Sequence, residues 1–69
     1  MMRIHNILEY ANKFVDRYDD IEAIQISIFT HTRKLYTLTD LKRCIPEIDN
    51  LNLSDLIKLY QNSDKKLEF

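Results

Sequence analysis

The chain has 69 residues, 45% of them apolar and 30% charged, with no Gly, one Pro and one Cys. That is the make-up of one folded domain rather than a disordered tail, but a domain this small buries only about 60% of its unfolded surface, so help from a partner or from self-association is expected. A net charge of −1 recommends neither nucleic acid nor an anionic membrane, and without Gly no phosphate-binding loop, dinucleotide fingerprint, EF-hand turn or nucleophile elbow can form.

Ile4, Ile7, Leu8, Ala11, Phe14, Val15 and Tyr18 recur at i, i+3, i+4 and i+7, which predicts an amphipathic helix over about 3–19. Glu9 and Lys13 sit four apart on the opposite face, and Asn6 with Glu9 resembles a capping pair. Asp19 and Asp20 are expected to end this helix, because adjacent carboxylates oppose the macrodipole at a C-terminus. The N-terminal pattern does not read as a signal peptide, and no apolar run reaches 18 residues. The single Cys44 cannot form an internal disulfide. These features together point to the cytoplasm and away from a membrane.

In IEAIQISIFT the period changes. Ile24, Ile26 and Ile28 alternate with Gln25 and Ser27, which argues a half-buried strand, and Leu35–Leu38 can supply a shorter second one. The expected element over about 22–38 is therefore a β-hairpin. Matching its faces requires an odd-numbered loop. The left-handed position of a three-residue loop prefers Gly or Asn, and THTRK offers neither.

Two matched stretches follow, YTLTDLKRCI from residue 36 and LNLSDLIKLY from residue 51. Thr37 with Asp40, and Asn52 with Asp55, have the spacing of an N-cap and an acid in the first helical turn. Tyr36 with Leu41, and Leu51 with Leu56, make the accompanying apolar staples. Short helices are predicted at about 38–44, stopped by Pro46, and about 53–61. Leu67 and Phe69 let the tail dock or add a short edge strand. The expected order is α-β-β-α-α in one α+β domain over 1–69, with the long first helix packed on the hairpin.

No residues assemble into a recognisable catalytic set. Cys44 falls on the apolar stripe with Leu41 and Ile45, where a thiol packs as a small apolar group. His5, His31 and Cys44 are not paired at zinc-ligand spacing, and the acids Asp16, Asp19, Asp20 and Glu22 lack the ladder, Gly and closing Glu of a calcium loop. No enzyme activity, cofactor or metal is expected. Charge, however, is uneven: Arg33, Lys34, Lys42 and Arg43 against Asp40 leave a local +3 between residues 31 and 43. A patch like this touches phosphates or an acidic protein, or simply aids solubility.

The matched helix starts raise a DNA-binding helix-turn-helix as one reading, a transcriptional regulator acting through the C-terminal helix pair. Its second helix would expose Ser54, Asp55, Lys58, Gln61 and Asn62, a face with one cation, and its connector is longer than the usual three or four residues. Protein binding fits better. Phe29 and Leu35 fall out of phase with the inward isoleucines, next to a basic tip on a domain with a small core. The sequence thus predicts a small non-catalytic inhibitor, adaptor or regulator whose partner is another protein or a second copy of itself. The surface expected to bind is Phe29, His31, Arg33, Lys34 and Leu35, with Lys42 and Arg43 beside it.

Overall fold

The first apolar stripe folds as α1 (Ile4–Ala11) in a computed structural model that describes residues 2–68. Ile4, Ile7, Leu8 and Ala11 are buried along one side of it. No side chain caps its start, where Arg3 holds the N-cap position and sends its guanidinium to the Ser63 carbonyl at 2.8 and 3.2 Å. Past Ala11 the chain tightens into a 3-10 turn, Asn12–Phe14, and the Phe14 carbonyl then accepts from the Arg17 and Tyr18 amides. The helix is therefore shorter than the stripe, and Val15 and Tyr18 end up exposed.

The acids expected to end a helix begin one. α2 (Asp20–Thr32) starts from a capping box in which Asp19 Oδ1 accepts from the Glu22 amide at 2.8 Å and Glu22 Oε1 accepts from the Asp19 amide at 3.4 Å. Asp20 and Glu22 in the first turn also suit the positive end of the helix dipole. The expected hairpin and the α+β class are thereby overturned: the protein is all helical, with no strand among the described residues. The reason is a stripe that mixes large and small side chains. Ala23, Ile24, Ser27 and Ile28 lie at i, i+1, i+4 and i+5 and all face the core, a helical pattern that reads as period two when only the isoleucines are counted. Ile26, placed inward by the strand reading, lies half-exposed on the other side.

One small residue of that stripe bonds α2 directly to α1. Ser27, fully buried, donates its hydroxyl to the Ile7 carbonyl of α1 at 2.7 Å, a bond that satisfies a polar group which would otherwise cost about 1–3 kcal/mol. Each isoleucine and leucine buried between α1 and α2 contributes roughly 1.5–3 kcal/mol by leaving water.

Residues 33–37 have no regular structure, and the two matched stretches then fold as α3 (Leu38–Cys44) and α4 (Leu53–Leu59). Thr37 and Asp40 form a full capping box, with bonds of 3.2 and 3.0 Å. Asn52 accepts from the Asp55 amide at 2.8 Å, and here a second cap comes from afar: Asp20 Oδ2 accepts from the Leu53 amide, also at 2.8 Å. One carboxylate thus sits in the first turn of α2 and caps α4. Between α3 and α4, Pro46–Asp49 makes a 3-10 turn that buries Ile48. The tail buries Leu67 and pairs Arg3 with Lys66 in one antiparallel bridge, through bonds from Ile4 to Lys65 (3.0 Å) and from Leu67 to Met2 (2.8 Å). This isolated pair takes the place of the expected edge strand, and Phe69 lies outside the described residues.

Candidate functional site

α2 is apolar on more than its inner side. Its outer stripe runs Glu22, Gln25, Ile26 and Phe29, spaced so that their side chains share one side of the helix, and Arg33 follows at the C-cap. Beside that band lies an open groove of about 370 Å³ whose apolar walls are Ile26, Phe29, Tyr18 and Leu35. Three of these are exposed large apolar side chains: Phe29 at 39%, Tyr18 at 44% and Leu35 at 79%. Gln25 holds the far wall in place, because its Nε2 donates to the Tyr36 carbonyl at 2.9 Å and ties the 33–37 segment to α2.

The end of α2 is built without the residue that usually stops a helix. Arg33 takes the left-handed conformation (φ 63°, ψ 19°), and its amide donates to the Phe29 carbonyl at 2.8 Å. Glycine is the common choice there, since a Cβ in that region costs roughly 1–2 kcal/mol. In the same turn Thr30, His31 and Thr32 each bond a carbonyl four residues back, at 2.9, 2.7 and 2.8 Å, and Thr32 Oγ1 accepts from the Lys34 amide at 3.1 Å.

The structure divides the seven residues singled out in the sequence. Phe29 and Leu35 meet in the α2 groove, and Arg33 is the C-cap of the same helix. His31 is on the other side of α2, its ring edge-on to Tyr10 at 4.8 Å and its Nδ1–H donating to Ser27. Lys34 is exposed just beyond the helix end. Lys42 pairs with Asp49 at 3.4 Å and Arg43 with Asp40, so both α3 cations have a carboxylate neighbour. Tyr18, Glu22, Gln25 and Ile26 were absent from the expected surface. Their signal was in the sequence, but only a helix places residues 22, 25, 26 and 29 on one side.

A second groove, of about 350 Å³, opens between α3 and the tail. Arg43 and Cys44 line one wall, Lys65, Lys66 and Glu68 the other, and Tyr36 the floor. The Tyr36 hydroxyl and the Cys44 thiol both donate to the Glu68 carbonyl, at 2.8 and 3.3 Å, which fastens the tail. Burial, with the nearby Asp40 carboxylate adding to it, raises the Tyr36 phenol above the ordinary tyrosine range. The Thr37 amide and hydroxyl, with Arg43, hold the Asp40 carboxyl below the usual carboxylate range. Tyr60 donates to Glu47 Oε1 at 2.7 Å, and burial together with that carboxylate pushes its phenol well up. His5 bonds Glu9 at 3.1 Å through Nε2, while its buried Nδ1 has no hydrogen-bond partner among the described residues.

Among the described residues no three His, Cys, Asp or Glu side chains converge to hold a metal ion, and no helix is long and apolar enough to cross a membrane. Compared with protein-family models, curated proteins and solved structures, the chain matches none.

Proposed function

We propose that this protein is a non-catalytic binding module, an inhibitor, adaptor or regulator, that docks another protein on the outer face of α2. The observation that supports this reading is the convergence of Tyr18, Ile26, Phe29 and Leu35 on one open groove. Apolar surface gathered in one place, rimmed by Glu22 and Gln25, is the composition of an association surface, with aromatic residues in the middle and polar ones around them. The occupant this surface fits is a protein segment with an apolar ridge and a charge of each sign at its ends, because α2 has Glu22 in its first turn and Arg33 at its C-cap. The nucleic-acid reading has less behind it: the α3 cations are matched by Asp40 and Asp49, and the exposed side of α4 offers Lys58 as its one cation.

Affinity capture from the source organism, with the unmodified chain beside Phe29→Asp and Leu35→Asp variants, tests the proposal. Circular dichroism first establishes that both variants keep their helices. A bound protein recovered with the unmodified chain and lost with both variants supports the reading, and an unchanged set of recovered proteins rejects it. Recovery of nucleic acid that falls steeply with salt, in place of protein, supports the helix-pair alternative instead.

A further inference from the structure

We infer that the segment docked on the outer face of α2 is α2 of a second copy, laid antiparallel across a two-fold axis. This rests on the protein-binding reading above and names the partner. The outer stripe is self-complementary when its direction is reversed. Glu22 lies in the first turn of α2, Ile26 and Phe29 are the middle of the stripe, and Arg33 stands at the C-cap beyond it. In an antiparallel pair with the axis level with the step between Ser27 and Ile28, Ile26 of one chain faces Phe29 of the other. The same register sets Glu22 opposite Arg33, twice by symmetry. At 1.5 Å per residue the charged ends lie about 16 Å apart along the helix and the apolar pair about 4.5 Å apart, so the apolar contact is central and the ion pairs are at its rim. That is the usual anatomy of a specific interface, and the isologous arrangement is the commonest in soluble oligomers.

The parallel alternative sets Glu22 against Glu22 and Arg33 against Arg33, and like charges in register disfavour it. Antiparallel helices also bring the positive end of each dipole beside the negative end of its partner. A net charge of −1 leaves little overall repulsion between copies. The residue at position 33 fits the same account: Arg occupies a left-handed site where Gly would be easier, and a positive charge at the C-terminal end of α2 is what Gly could not supply. Tyr18 and Leu35 flank the central pair and widen the contact.

A contact built on one helix of about 20 Å is at the small end of specific interfaces, which points to dissociation constants on the order of micromolar to hundreds of micromolar. The test is light scattering on the purified full chain from about 10 μM to about 1 mM, a range chosen to bracket those constants. The molar mass is expected to climb from 8.3 kDa toward twice that value. Phe29→Asp is expected to stay monomeric. Arg33→Gly relieves the backbone and so keeps its fold, yet is expected to weaken pairing about tenfold through loss of both rim contacts. Glu22→Arg and Arg33→Glu are each expected to weaken it similarly, and the double exchange to restore it, which a change in helix stability alone does not produce. A monomer across the whole range overturns the inference, as does a dimer indifferent to Phe29→Asp or to both charge reversals. If the chain is monomeric while Phe29→Asp still loses a captured protein, self-pairing falls and the binding reading stands.

Discussion

α1 and α2 lie side by side and are apolar in different ways. α1 buries Ile4, Ile7, Leu8 and Ala11 and turns polar residues such as Asn6 and Glu9 outward. α2 buries Ala23, Ile24, Ser27 and Ile28, yet it also presents Ile26 and Phe29 to solvent. The first helix has as much apolar surface as its fold can cover. The second has more, gathered next to Tyr18 and Leu35. A helix apolar on two sides is normally buried on both, and under the proposed function the second cover comes from another molecule.

Substitutions on the two sides of α2 should therefore separate stability from association. The largest loss is expected inside: Ile28→Ala removes a fully buried side chain and should destabilise the fold by about 2–5 kcal/mol in chemical denaturation. Alkali reaches the same core by another route. The Tyr60 phenol is raised in the fold, so its contribution is complete below about pH 10, the ordinary tyrosine value, and is lost as pH climbs from there toward the raised one. A melting series from pH 8 to 11 should show stability falling above pH 10, and Tyr60→Phe should flatten that fall. Ser27→Ala, which removes both the hydroxyl and its bond to the Ile7 carbonyl at the α1–α2 contact, is expected to cost about 0.5–1.5 kcal/mol. At the end of α2, Arg33→Gly should raise monomer stability by about 1 kcal/mol, since glycine accepts the left-handed conformation without penalty. On the outer face, Phe29→Asp should change monomer stability by no more than about 0.5 kcal/mol, measured at a dilution where the chain is monomeric.

The contrast also explains which parts of the fold could be read from residues. The caps at Thr37 and Asn52 are local chemistry, an oxygen accepting an amide three residues on, and their spacing is visible without any tertiary knowledge. The stripe of α1 was equally plain because all its members are apolar. α2 was not, for two physical reasons. Its inner face includes Ala23 and Ser27, whose value lies in letting α1 approach and in one buried hydrogen bond, and neither property registers as hydrophobicity. Its start at Asp19 and Glu22 is the same kind of capping box as at Thr37, but the neighbouring acids suggested a helix end. Once a strand was assumed, Phe29 and Leu35 still stood out as misplaced apolar residues. Ile26 did not, because the strand turned it inward, and the groove lost half its wall. The role of Asp20 as a cap for α4, 33 residues later, is a tertiary fact with no local signal.

The bridge between Arg3 and Lys66 has a mechanical consequence. Met2 faces Leu67 and Ile4 faces Lys65 across two backbone bonds, so a force pulling the two ends of the described chain apart acts across the pair rather than along it. The bonds are then loaded one after another, as in a zipper opened from its end. The tail should peel away from Met2 first and expose Leu67 before any helix bears the load. In a pulling experiment the first rupture is expected at low force and with a short gain in length, followed by the cooperative loss of the helical core.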